Sequence, residues 1–222
     1  IEGNVTHLDL PWNSRGEERE FEIYKGVQMT FCWIPAGKAK LGSPCSERER
    51  RDNETEHDYE TKGFWLGKYP VTQAQWASVM ESNPSYFKGA NWPVETTNWY
   101  DCQAFMQKLN ALIPGLNLTL PSEAQWEYAC RAGSQTPFNF GQQVTTEQVN
   151  CGSNFPYNHG EKAKYRQKTV EVKYFSPNRW GLYQMHGNVD EWCRDGLRNY
   201  QVQTESDPVG PEEEGTSRGL RG

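Results

Sequence analysis

The first sixteen residues mix polar, Pro and Gly positions without a period and read as an irregular arm or linker, so residues 1–20 are set apart from a domain spanning 21–222. From Phe21 the chain reads FEIYKGVQMTFCWIPAG and then KAKLGS. Apolar positions alternate there around Gly26 and Pro35, which predicts short strands joined by tight turns, beginning with a hairpin. Residues 44–62 carry ten acidic or basic residues between Ser46 and Glu60, too polar a run to pack, and are predicted to be a solvated loop. GFWLGKY, at 63–69, returns to a strand.

Three helices are marked by their caps. Thr72 with Gln75 opens TQAQWASVM, Asn98 with Asp101 opens a helix running through Leu112, and Ser122 with Gln125 opens SEAQWEYACRAG. In each, a side-chain oxygen can satisfy a free backbone N–H of the first turn. Phe105, Leu109 and Leu112 fall at i, i+4 and i+7 and predict one apolar stripe facing a core. Pro114-Gly115 and Gly133 supply stops. Beyond Gly133 the chain is mostly loop, broken by Pro137, Gly141, Gly152, Pro156 and Gly160, with a strand predicted at 169–175. The tail from Gln201 is acidic and rich in Pro and Gly before SRGLRG, which reads as the entry to a further strand.

Composition sharpens this outline. The mean hydropathy of −0.91 leans toward disorder, but nine Trp, eleven Tyr and nine Phe do not. With 20 Gly and 13 Pro, the expectation is a loop-rich domain whose core is built from large rings. A net charge of −6 argues against a nucleic-acid partner, which needs a basic surface. No run approaches the ~20 apolar residues of a membrane span, and the opening residues lack the pattern of a signal peptide. The six cysteines are scattered without a CxxC pair, and Cys32, Cys130 and Cys193 sit in apolar contexts. Mostly free thiols, and hence a cytoplasmic chain, are expected.

Six segments, IPAGKAKLGSP, GFWLGKYPVTQAQW, NWPVETTNWYDCQAF, LTLPSEAQWEYACRAG, GLYQMHGNVDEW and DPVGP before RGLRG, occur in the order seen in the formylglycine-generating enzyme, or sulfatase-modifying factor, family. The chain resembles that family from about Met29 to its last residue. The resemblance implies an α+β, C-type lectin-like fold with little regular secondary structure, short antiparallel sheets and about three helices. Trp76, Trp126, Tyr128 and Trp192 are expected to fill its core.

The resemblance also implies one calcium site, since calcium accepts six to eight oxygens and a turn can supply carbonyls beside a carboxylate. By position its ligands are the Gln184 side chain, the Gly187 and Val189 carbonyls and the Glu191 carboxylate. Gln184 stands where Asp or Asn is usual, and Asp190 where Trp is common. A second calcium loop would begin at Asn150 and the Cys151 carbonyl, but Lys164 falls at its acidic position, so that site is expected to be lost unless Glu161 substitutes.

Formylglycine formation in the family oxidises a substrate cysteine with oxygen, using two enzyme cysteines that bind copper in a segment after the strand matching 218–222. None of the six cysteines lies in such a segment. Cys130 matches a family position that can form a disulfide with a later cysteine. The four histidines form no HxxxH pair of the kind an iron-dependent branch uses, and His186 is read as a neighbour of the calcium turn rather than a ligand. The expected function is therefore a pseudoenzyme-like ligand- or protein-binding accessory module with a protein or peptide partner, within a larger multidomain protein. The alternative is a copper-dependent oxidase whose catalytic C-terminal segment lies outside this chain.

Overall fold

The computed structural model describes residues 16–24, 26–151, 157, 165–196, 198–200, 204–213 and 215–222. Along them run β1 (Glu18–Tyr24), β2 (Val27–Ile34), β3 (Gly37–Leu41), β4 (His57–Thr61), β5 (Phe64–Gly67), α1 (Gln73–Met80), α2 (Trp99–Leu112), α3 (Glu123–Arg131), β6 (Glu191–Gly196), β7 (Glu205–Ser206) and β8 (Arg218–Arg221). The strands form sheets of order β1-β2-β5 and β3-β4-β7 and a β6-β8 ribbon. All pairings are antiparallel except β4 with β7.

All three helices begin as their caps predict. Thr72, Asn98 and Ser122 each accept from the backbone N–H three residues on, while Gln75, Asp101 and Gln125 reach back to the cap's own N–H. Such a cap contributes about 0.5–2 kcal/mol, enough to decide where a short helix starts. α3 stops as Ala132 turns left-handed at φ 45°, followed by Gly133 at φ 83°.

β2 is the strand around which the domain packs. Its backbone edges are paired by β1 and β5, and two cores cover its two faces. Met29 and Phe31 join Ile23, Trp76, Val79, Phe105, Met106 and Leu109 in one core. Cys32 and Ile34 join Leu41, Tyr59, Tyr128, Trp180 and Leu182 in the other. Rings dominate both: Trp76 stacks on Phe105 at 5.1 Å, and Tyr128 packs between Tyr59 at 5.1 Å and Trp180 at 4.9 Å. Gly37 is required beneath them, because a Cβ there would lie 2.7 Å from the Tyr128 hydroxyl, which donates to the Pro35 carbonyl.

Four expectations are corrected. β1 begins at Glu18, inside the segment read as arm. The charged run at 44–62 ends in β4, where His57, Tyr59 and Thr61 are buried and Asp58 and Glu60 point outward; the charges belong to the outer face of a strand. Residues 169–175 bury Thr169, Val170, Val172 and Phe175 yet form no strand, because their backbone partners are isolated loop groups, Asn188 and Asn91, rather than a ladder. On α2 the stripe is Phe105, Met106 and Leu109, whereas Leu112 is exposed at the helix end.

That last difference predicts unequal costs. Phe105→Ala should destabilise by about 3–5 kcal/mol, and Leu112→Ala by roughly 0.5 kcal/mol or less. Urea unfolding midpoints of the two variants check the assignment.

Candidate functional site

α3 lies against the β6–β8 ribbon, and the contact is polar. In β8, Arg221 donates through Nη2 to Glu123 at 2.8 Å and reaches Glu127 at 3.4 Å. Glu127 also accepts from Arg131 at 2.8 Å and from the Gly42 backbone N–H at 2.8 Å, while Arg131 donates to the Gly42 carbonyl at 2.6 Å. Burial opposes ionisation of Glu127, but Arg131, Arg221 and the Gly42 N–H outweigh it and hold its carboxyl below the usual range. Burial works against the Arg221 charge too, and Glu127 with Glu123 more than restores it. Below this cluster Asp195, fully buried in β6, accepts from the Glu123 N–H at 2.8 Å and the Gly210 N–H at 2.6 Å, which joins the start of α3 to the chain before β8.

Beside the cluster opens a polar cleft of about 250 Å³. Its walls include Glu47, Glu54, Glu127, Arg131, Tyr200 and Arg221, and its floor Trp126, Cys130 and His186. Tyr200 donates to Glu123 at 2.9 Å. Cys130 Sγ lies 3.5 Å from His186 Nε2 and 3.4 Å from the Met185 carbonyl. The same imidazole nitrogen accepts from the Asn139 N–H at 3.1 Å, and the ring meets the Phe138 and Phe140 rings edge-on. Burial, with Arg131 adding to it, pushes His186 down to about 4, and burial pushes the Cys130 thiol up. At neutral pH the pair is therefore an uncharged thiol beside an uncharged imidazole, unsuited to nucleophilic attack.

Residues 22–222 match the sulfatase-modifying factor enzyme 1-like domain. The chain belongs to that family. It is 34% identical over 180 residues to the chaperone protein LppX of Paenibacillus barcinonensis, covering 59% of this chain and 61% of that protein. It is 30% identical over 154 residues to the formylglycine-generating enzyme of Mus musculus, covering 67% of this chain and 38% of that enzyme. The chain thus spans less than two thirds of the length of these relatives. Among solved structures, Treponema denticola variable protein 1 shares 26% identity and a TM-score of 0.75, over 92% of this chain and 86% of that one. PvdO from Pseudomonas aeruginosa, at 24% identity and the same TM-score over 94% and 86%, shows the shared fold alone. The α+β, C-type lectin-like architecture follows from these matches together with the three helices and short sheets.

In this sulfatase-modifying-factor-like domain three of the residues expected to hold calcium, Gln184, Gly187 and Val189, lie in the segment leading into β6, and Glu191 is its first residue. Gln184 is buried with φ 60°, and its amide nitrogen donates to the Glu171 carbonyl at 3.2 Å. Gly187 has φ 101°, and a Cβ there would fall 2.6 Å from the Asn150 carbonyl oxygen. The Val189 carbonyl faces Gly222, at 2.6 Å from where a Cβ would be. Glu191 accepts from the Trp126 indole N–H at 2.8 Å, and burial pushes its carboxyl up to about 7 although that bond opposes the rise. Trp126 is thus both a core ring and the partner of a site carboxylate.

The residue that organises the turn went unnoticed in the sequence. Asn188, at φ 74°, donates its backbone N–H to the Asn150 carbonyl at 2.7 Å and brackets Val170 with its side chain, accepting at 2.8 Å and donating at 3.1 Å. The sequence signal is the Gly187-Asn188 pair, since Asn follows Gly into left-handed backbone more readily than most residues. Asn150 gives its amide to the Lys168 carbonyl and to Asn188. Glu161 and Lys164 lie outside the described residues. Among the described residues no cluster of three or more His, Cys, Asp or Glu forms, so a calcium here would depend on carbonyls and a single carboxylate. All six cysteines are free, and no described helix is long and apolar enough to cross a membrane.

Two measurements test this electrostatic picture. The depressed Glu127 carboxyl contributes stability that is present above the ordinary carboxylate range and lost as the pH falls through its folded value. Urea midpoints should therefore drop on acidification below about pH 4.5, and Arg221→Gln should flatten that drop while costing roughly 1–3 kcal/mol at neutral pH, discounted for partial exposure. In native protein, iodoacetamide should label exposed Cys45 well before buried Cys32, Cys130 and Cys193, read by peptide mass mapping.

Proposed function

We propose that this domain is a non-catalytic binding or accessory module whose cleft beside α3 receives a segment of a protein or peptide partner. The observation that carries this reading is the fixed arrangement of charges on the cleft wall. Glu127, Arg131 and Arg221 hold one another in place, so a partner's polar groups meet donors and acceptors that need no reordering. The chemistry on the floor supports it: among the described residues Cys130 is the one cysteine lining the cleft, its thiol is held neutral, and its near neighbour is an imidazole rather than a second thiol. These residues do not fit a copper ion held by two thiolates. A larger multidomain setting is supported by the serine/threonine-protein kinase pkn1 of Chlamydia caviae, whose 28% identical match covers 96% of this chain but 36% of that protein.

The named formylglycine-generating enzymes favour a second reading, a copper-dependent oxidase that converts a substrate cysteine to formylglycine with a catalytic C-terminal segment outside this chain. One experiment separates the two. Peptides selected from a displayed library should bind wild-type protein and lose at least about tenfold in affinity to a variant with Glu47→Lys and Glu54→Lys at the cleft rim. A cysteine-containing peptide incubated with the full-length protein, copper and oxygen should form no aldehyde by mass spectrometry, its thiol being lost only to disulfide as in a copper control without protein. Aldehyde formed at multiple turnovers would replace the module with the oxidase.

We also infer that the turn before β6 holds one calcium ion through Gln184, Gly187, Val189 and Glu191. The support is an enclosed Glu191 carboxylate whose only hydrogen-bond donor among the described residues is the neutral Trp126 indole; a bound cation would compensate its charge. Bound calcium would thereby fix the entry to β6. At 100 times its dissociation constant it should stabilise the fold by about 2.7 kcal/mol, seen as a rise in Tm. Glu191→Ala should abolish the rise, and a variant that keeps it would remove Glu191 from the ligands.

A further inference from the structure

We propose that a second face, formed by the loop at 166–174 and the rings it covers, docks an acidic segment of a partner protein. This goes beyond the cleft and needs neither it nor the calcium turn. Within a chain of net charge −6, residues 166–173 carry Arg166, Lys168 and Lys173 against Glu171 alone. The two lysines are placed by rings. Lys168 Nζ stands 5.5 Å from the centroid of Trp92, and Lys173 Nζ stands 5.0 Å from that of Tyr69. No described carboxylate lies in ion-pair range of either, whereas Lys38, Lys40 and Lys68 pair with Glu60, Asp58 and Glu18.

A ring face attracts an ammonium group without neutralising it, and its N–H groups directed away from the ring remain free for an anion. The loop that carries both lysines is held rigid from below. Val170 and Val172 are buried, Asn188 brackets Val170, the Val172 N–H donates to the Asn91 carbonyl at 3.0 Å, and Asn150 donates to the Lys168 carbonyl at 2.9 Å. Little ordering of the loop backbone is therefore left to a partner's arrival, and the cost falls on the two lysine side chains. Tyr174 is exposed beside the lysines, and Tyr69 packs against Tyr183 at 4.8 Å, so apolar surface adjoins the two charges.

Charge complementarity calls for an anion, and cations seated over rings beside the exposed Tyr174 favour carboxylates on a chain that also carries apolar groups. That is an acidic peptide. A long phosphate polymer needs an extended basic surface, which three cations beside one glutamate do not supply.

The test is fluorescence anisotropy with a fluorescein-labelled peptide of Glu, Gly and Tyr, a matching peptide with Lys for Glu, and a labelled oligouronate. The acidic peptide should bind saturably and weaken as salt is raised. The double variant Lys168→Glu, Lys173→Glu should bind it at least about tenfold more weakly, and Lys168→Arg, Lys173→Arg, which keeps both the charge and the ring contact, should retain affinity within about threefold. Both lysines are exposed, and near-UV circular dichroism will confirm that the variants keep their packing. The proposal is overturned by absent saturable binding, by equal binding of the basic peptide, by tighter binding of the oligouronate, or by an unchanged charge-reversal variant. Self-association in sedimentation that the same variant abolishes would assign the face to a second copy instead.

Discussion

One guanidinium joins the last strand to the body of the domain. Arg221 lies between Glu123 and Glu127, successive acidic residues on one face of α3, and Glu127 in turn holds Arg131 and the Gly42 turn. Charges this enclosed are tolerable only when each is compensated, so removing one member leaves the others buried without a partner. The wall of the cleft, the docking of β8 and the placement of the β3 turn therefore depend on the same four side chains. Asp195 extends the arrangement inward by capping the start of α3 from β6 and holding the Gly210 N–H from its other oxygen.

Around this polar joint the domain is packed with rings on a sparse scaffold of short strands. β2 works as a shared wall, because a central strand can give alternate side chains to two cores. The long connections are held by side-chain amides instead of ladders. Asn188 secures residues 150 and 170, and Asn178 donates to the Ala129 carbonyl at 2.8 Å while accepting from the Trp180 N–H at 3.0 Å. Such contacts satisfy backbone groups locally and let a loop-rich chain bury them without regular structure. The cleft, the turn before β6 and the lysine-bearing loop all border these amide-fastened segments, which places three surfaces of different charge on one small domain.

The sequence carried the local half of the structure. Thr72, Asn98 and Ser122 announced three helices because a cap acts within three residues, and Gly26 marked the hairpin turn for the same reason. Ordered motifs with little adjustment of spacing were enough to indicate the family and its fold. The failures share a cause. The charges at 56–60 looked like a loop until Tyr59 proved to be packed on Tyr128, and the alternation at 169–175 looked like a strand until its backbone found Asn91 and Asn188 as partners. Burial and pairing at those positions are settled by residues far away in the chain.

The same division holds at the candidate sites. The scatter of the cysteines is legible in residue order, and the resemblance to the family implied Gln184, Gly187, Val189 and Glu191 by position. Only the tertiary structure set Glu191 against Trp126, Cys130 against His186, Arg221 between two glutamates, and two lysines over the rings of Trp92 and Tyr69. Charge state and reactivity belong to that second group, because they are fixed by desolvation and by neighbours brought from more than 50 residues away, and no local pattern encodes them.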